Sequence, residues 1–170
     1  MSLMRGLVYG MLVVLAVTFQ VAVFRYVSFQ GVTPNLALLL VVVTAFARGP
    51  QFAAILGFGA GLLLDVAPPA DHVAGRWALA FVVVGYLAGR VRQDARSSTL
   101  VALMTVAACS FVGTSLFALS GLVLNDNPLP TGQMLSVIGI SVVWDVLITP
   151  LVLPLLMLVF KRLRPPQMAY

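Results

Sequence analysis

The sequence predicts an all-α integral membrane protein that folds as a single bundle of about six transmembrane helices. The first observation is composition, because 61% of the 170 residues are hydrophobic and 9% are charged, whereas a soluble domain is roughly half apolar and a quarter charged. The second is that the apolar residues form six runs separated by charges, Pro and Gly. A chain this small could not cover so much apolar surface with polar groups in water, so the bilayer has to supply the burial.

The six apolar runs belong to one predicted domain that covers residues 1–170. Several runs approach the roughly 20 residues that a helix needs to cross a bilayer, whereas the second and third are shorter. These two form either two short spans or a re-entrant hairpin that turns at 48–50. Full crossing is favoured, because a hairpin ending midway would bury the charge of Arg48. The predicted spans are residues 7–24, 34–47, 52–66, 73–89, 99–123 and 134–160.

The basic residues predict the orientation of the bundle. The formal net charge is +5, but the charges sit in breaks between apolar runs and form no stripe that could meet nucleic-acid phosphates. Only Arg25 and Arg76 fall on one side of the predicted membrane. By the positive-inside rule, the opposite side, with the N and C termini and the 90–98 loop, is cytoplasmic, where anionic lipid also attracts basic residues. That side carries Arg5, Arg48, Arg90, Arg92, Arg96, Lys161, Arg162 and Arg164.

A carboxylate near the middle of the last run is the most informative single residue. Asp145 is four residues from both Ser141 and Thr149, so the three side chains share one helical face. One interpretation is a proton path, an ion path or a ligand pocket. We favour a structural hydrogen-bonding group, because the sequence shows no second intramembrane charge that could form a relay. Its expected partners are the hydroxyls of Ser110, Thr114 and Ser115, and Pro150 after it predicts a bend.

Small residues four apart predict close helix packing. Gly57 and Gly61 lie on one face of the third run together with Asp65, and Gly85 and Gly89 repeat the spacing in the fourth. Such faces let helix backbones approach each other, and contact within the chain is favoured over dimerisation. Asp65 is expected to have a solvated role at the end of its helix, with contact to a partner protein as the alternative.

No set of residues predicts catalysis, a metal site or a cofactor site. His72 is the single histidine and is interpreted as a solvated loop residue, because one imidazole cannot hold zinc. Cys109 is the single cysteine and lies in an apolar run, a setting that disfavours the reactive thiolate. We therefore expect a protein that is not an enzyme and has no cofactor.

Three segments carry a resemblance to a known family. They are the Pro34-Asn35-Leu36 opening of the second run, the stretch GFGAGLLLD from Gly57 to Asp65, and AGRWALAFVVVGYLAGRV from Ala74 to Val91. Their order and spacing resemble the bacterial MreD family, as do the length, the six spans and a last helix with a polar residue, Pro and a basic end. One departure is Asp145, where the family more often has Asn.

The resemblance implies a non-enzymatic component of the cell-wall elongation machinery in the bacterial inner membrane. It implies MreC as a partner, together with the cytoskeletal protein MreB and a glycosyltransferase and transpeptidase pair that polymerises peptidoglycan. Asn35, the four glycines, Asp65, Asp145 and Pro150 are the candidate structural or partner-contact residues. The alternative function is the substrate-binding subunit of an energy-coupling-factor vitamin transporter, which would need a ligand pocket.

Overall fold

The computed structural model of the protein describes residues 3–69, 71–126 and 130–162. These residues form seven α-helices and one short 3-10 helix, and they contain no β-strand. Each of the six predicted apolar runs lies largely within one α-helix, and the seventh, α5, occupies the 90–98 loop. The helices are α1 Leu3–Ala22, α2 Leu36–Arg48, α3 Pro50–Val66, α4 Arg76–Arg90, α5 Arg92–Ser97, α6 Thr99–Val123 and α7 Thr131–Arg162, and the 3-10 helix is Phe24–Val27.

Helix α2 forms the centre of the bundle. Every residue from Ala37 to Phe46 is buried, as expected for a helix that is apolar on all sides. Helices α1, α3, α4, α6 and α7 all pack against it. With 13 residues, α2 is only about 20 Å long. Its N-cap residue Asn35 is 6% exposed, so the helix starts inside the bundle.

The outer surface is strongly apolar. Leu7, Met11, Ile55, Met104 and Leu151 are each more than 60% exposed, and such a surface is typical of helices that face lipid and not of a soluble monomer. By length and composition, two helical segments could cross a membrane, Thr99–Val123 and Gly132–Arg162. Three shorter helical segments are also apolar, namely Gly6–Ala22, Leu36–Arg48 and Pro50–Val66.

The two ends of the bundle differ in character. One end, here called the basic end, carries Arg48, Arg90, Arg92, Lys161 and Arg162. At this end the Arg48 guanidinium lies 5.3 Å from the centre of the Phe52 ring. The other, here called the loop end, is formed by residues 24–35, 67–69, 71–75 and 124–126. Of the predicted cytoplasmic residues, Arg164 lies outside the described residues, as do the side chains of Arg5 and Arg96.

Candidate functional site

The four predicted packing glycines form one interface between α3 and α4. A β-carbon at Gly57 would overlap the Phe81 carbonyl, and one at Gly61 would overlap the Ala78 backbone. From the other helix, a β-carbon at Gly85 would lie 2.6 Å from the Ala53 carbonyl oxygen, and one at Gly89 would overlap Pro50. The two backbones therefore touch along this stripe, and none of the four glycines is open to a partner protein.

Asp65 closes the loop end of the same helix pair. Its carboxylate accepts hydrogen bonds from the backbone N–H groups of Gly75 at 2.8 Å, Trp77 at 3.0 Å and Ala78 at 3.2 Å. These groups belong to the first turn of α4, whose own N-cap position is Gly75 and offers no side chain. Asp65 is 1% exposed, so the expectation of a solvated helix-end role was wrong. The residue caps a neighbouring helix and not its own.

His72 is also not the solvated loop residue that the sequence suggested. Its side chain is 13% exposed, and Nε2 lies 3.1 Å from an Asp65 oxygen. The imidazole meets the Phe117 ring edge-on, with 5.1 Å between the ring centres. The turn between α3 and α4 folds the ring inward, because Asp65 and α6 together provide a polar partner and an apolar wall.

An ion pair that the sequence did not reveal fixes α4 to the end of α6. The Arg76 guanidinium donates to Asp126 at 2.8 Å and to the Phe117 carbonyl at 2.8 Å, and it lies 3.9 Å from the centre of the Phe117 ring. The Val73 N–H also donates to Asp126 at 2.6 Å. The hydrogen bond from Val73, followed by that from Arg76, holds the pKa of Asp126 below its usual range, against the opposing effect of desolvation. The ion pair is therefore intact at neutral pH.

Three side chains accept hydrogen bonds from backbone N–H groups at the buried start of α2. The Asp145 carboxylate accepts from the Asn35 N–H at 2.7 Å, Gln20 accepts from the Ala37 N–H at 3.0 Å, and the Asn35 side chain accepts from the Leu38 N–H at 3.0 Å. This cap joins α1, α2 and α7 and satisfies N–H groups that have no partner within the helix itself. Gln20 was not identified from the sequence, although it is a lone polar residue within the apolar α1.

Asp145 lies at the centre of these contacts. It is fully buried, and the Ser110 hydroxyl of α6 donates to its second oxygen at 2.6 Å. Ser110 is one of the three hydroxyls named as expected partners, whereas Thr114 donates to the Ser110 carbonyl of its own helix. The Thr149 hydroxyl donates to the Asp145 carbonyl oxygen. Helix α7 is continuous through Pro150 and Pro154.

Replacing Asp145 by asparagine should leave the stability of the fold nearly unchanged, whereas replacing it by leucine should lower it. The asparagine oxygen still accepts from the Asn35 N–H, and its NH2 group can donate to the Ser110 hydroxyl. Leucine leaves a buried N–H without an acceptor, which lowers the free energy of unfolding by about 2 kcal/mol. For a chain of this length, this loss lowers the thermal midpoint by roughly 4–8 °C. Thermal unfolding in detergent measures both variants, and a large loss with asparagine would show that Asp145 needs its charge.

Two clefts lie on different faces of α7. A cavity of about 530 Å3 opens at the loop end above the start of α2, and Asn35, Arg76, Trp77, Phe117 and Ser141 are among its lining residues. A second, almost entirely apolar cleft of about 290 Å3 lies on the outer surface. The lining residues of this outer cleft are Phe29, Gly139, Ile140, Val143, Trp144 and Leu147.

The apolar outer surface and the buried polar contacts between helices define a helical membrane protein. A family model described as "MreD: rod shape-determining protein MreD" matches residues 1–164. The chain belongs to the MreD family, which confirms the resemblance. No curated protein and no solved structure matches it. Membership gives the protein a role in the determination of rod shape at a membrane, and the family is not known as one of enzymes.

Proposed function

We propose that the protein crosses the bacterial inner membrane six times, through α1, α2, α3, α4, α6 and α7. Both termini and the basic end are cytoplasmic in this proposal, and the loop end is external. The positive-inside rule supports it, because Arg48, Arg90 and Arg92 gather at one end of the bundle together with the end of α7. Helix α5 then lies at the cytoplasmic face, and residues 1–170 form one domain.

Single cysteines can test this topology in a Cys109→Ser background. Asp71, whose side chain is 79% exposed at the loop end, is replaced by cysteine in one variant, and the exposed Gln93 of α5 in another. In intact spheroplasts, a charged, membrane-impermeant maleimide should label Asp71→Cys but should label Gln93→Cys only after lysis. The reverse pattern would invert the proposed orientation.

We infer that the protein is a non-enzymatic scaffold of the cell-wall elongation machinery. It holds MreC through helix contacts in the membrane and thereby acts on the peptidoglycan glycosyltransferase and transpeptidase pair, in concert with MreB. Membership of the MreD family supports this function over the vitamin-transporter subunit. Lateral contacts that favour one orientation of MreC would shift the synthase toward its active state.

The exposure of the outer face of α7 is the structural feature that most supports the scaffold proposal. Helix α7 is the longest helix, with 32 residues, but only 11% of its most apolar stretch is buried. The corresponding share for α6 is 33%. Helices associate in lipid where small residues allow close approach. The α3–α4 glycines are already used inside the bundle, whereas a β-carbon at Gly139 would meet nothing within 4 Å. The outer cleft at Gly139 is therefore the proposed seat of the MreC helix.

Copurification tests the scaffold proposal. When the protein and MreC are co-expressed in a bacterial membrane and gently solubilised, MreC should copurify in near-equal amounts. An unrelated single-span protein expressed in the same way serves as the control and should be absent. If MreC is also absent while the protein is folded, the scaffold proposal fails.

A further inference from the structure

The cavity at the loop end has the dimensions of a small-molecule site. Its volume of about 530 Å3 lies within the range of roughly 300–1,000 Å3 typical of ligand pockets. It exists because α2 is short, so that the recessed helix start forms a floor between α1 and α7. The cavity is separate from the outer cleft, and its assignment does not depend on the proposed contact with MreC.

The floor of the cavity presents hydrogen-bond donors that the described part of the protein does not use. Gln20 and Asn35 each turn their amide oxygen toward an N–H group of α2. Because only an oxygen can accept those hydrogen bonds, the orientation of both amides is fixed, and each NH2 group is left for the cavity. Gln20 is 8% exposed and Asn35 is 6% exposed, and neither NH2 group has a partner among the described residues.

A third polar group completes the floor. Ser141 of α7 is 6% exposed and lines the cavity, and its hydroxyl has no hydrogen bond to any described residue. Buried polar groups in folded proteins are nearly always paired. Three neighbouring groups with unused capacity therefore indicate an occupant that supplies oxygen acceptors.

The charges around the cavity favour an uncharged occupant. Arg76 is neutralised by Asp126 at 2.8 Å, and its remaining hydrogen bonds go to Ser120 and the Phe117 carbonyl. Asp71 stands exposed at the rim beside His72, and Asp145 lies behind Asn35. Among the described lining residues, a phosphate would find no unpaired arginine or lysine, and a cation would face the amide NH2 groups.

The walls favour a flat, partly apolar body. Trp77 stacks on Phe117, with 4.4 Å between the ring centres and 20° between the ring planes, and both rings line the cavity with Met134, Val137 and Ile138. Aromatic rings prefer such offset stacking. We propose that this cavity binds a flat, uncharged heterocycle that carries ring carbonyl oxygens, which accept hydrogen bonds from Gln20, Asn35 and Ser141.

Riboflavin and flavin mononucleotide test the proposal, because they share a flat ring with carbonyl groups and differ in a charged phosphate. The chain has two tryptophans, so Trp144→Phe leaves Trp77 as the fluorescent reporter of the cavity. Titration of the purified full chain in detergent should show saturable quenching of Trp77 by riboflavin. Flavin mononucleotide should bind at least tenfold more weakly.

The variant Gln20→Glu tests the NH2 donor of Gln20 separately from the oxygen that caps α2. The glutamate keeps an oxygen for the Ala37 N–H and replaces the NH2 donor by a repelling oxygen, so riboflavin affinity should fall at least tenfold. Gln51→Glu, on the exposed surface of α3, is the matched control and should bind as the parent does. Ser141→Ala, expected to weaken binding about threefold or more, provides the test if Gln20→Glu fails to fold.

Three results would overturn the proposal. The first is the absence of saturable quenching by riboflavin, which would mean that the cavity holds water only. The second is equal affinity in the Gln20→Glu and Gln51→Glu variants, and the third is tighter binding of flavin mononucleotide than of riboflavin.

Discussion

Replacing Gly61 by alanine is expected to destabilise the protein strongly, whereas the same change at Gly59, two residues away, is expected to be harmless. A β-carbon at Gly61 would overlap the backbone of Ala78, which cannot move aside as a flexible side chain could. Overpacking of this kind costs about 1–3 kcal/mol, occasionally more. For a chain of this length the cost corresponds to a thermal midpoint lower by roughly 2–12 °C.

Gly59 is a matched control on the same helix. It is exposed, and a β-carbon there would meet nothing within 4 Å. Alanine also has the higher helix propensity, so Gly59→Ala should keep or slightly raise the midpoint. Thermal unfolding followed by size-exclusion chromatography in detergent compares the two variants. Equal midpoints would contradict the direct backbone contact between α3 and α4.

Asp65→Ala should cost more than any other single change to the loop end. It leaves the N–H groups of Gly75, Trp77 and Ala78 without their acceptor. Each unsatisfied buried donor costs about 1–3 kcal/mol, so a loss on the order of 3 kcal/mol or more is expected. The α3–α4 turn should then open, and amide hydrogen exchange at the start of α4 should accelerate.

Two further variants separate the cap from the local charge. Asp65→Asn keeps one acceptor oxygen but turns an NH2 group toward a backbone N–H, so it should destabilise by about 2 kcal/mol. Asp71→Asn removes a neighbouring charge whose side chain is 79% exposed, and it should change stability little. If Asp65→Asn were as stable as Asp71→Asn, the cap would not contribute to the fold.

Some of this architecture could be predicted because it depends on the spacing of residues that are close together in the sequence. Residues four apart share a helix face, so the stripe of Gly57 and Gly61 indicated a packing surface. A carboxylate in an apolar run needs hydrogen-bonding partners, so the setting of Asp145 pointed to hydroxyls on a neighbouring helix. Both arguments need only helical periodicity and the cost of burying polar groups.

Other contacts could not be predicted because they join residues that are distant along the chain. Arg76 and Asp126 are 50 residues apart, and nothing in the sequence indicates that the ends of α4 and α6 meet. Asp65 caps α4 because the close glycine interface brings the two helices into register. Likewise, Asn35 meets Asp145 only because α2 is short enough for its start to lie inside the bundle.

Copurification of MreC with variants of the outer cleft on α7 tests both the scaffold function and the proposed docking face. Gly139→Leu fills this cleft, and Gly59→Leu places the same side chain on the outward face of α3, where space is also open. Both variants should reach normal membrane levels, because neither site contacts the bundle. Gly139→Leu should lose MreC at least tenfold, whereas Gly59→Leu should retain it. Full retention of MreC by Gly139→Leu would contradict the proposed docking face, and failure of the parent protein to retain MreC would contradict the scaffold function itself.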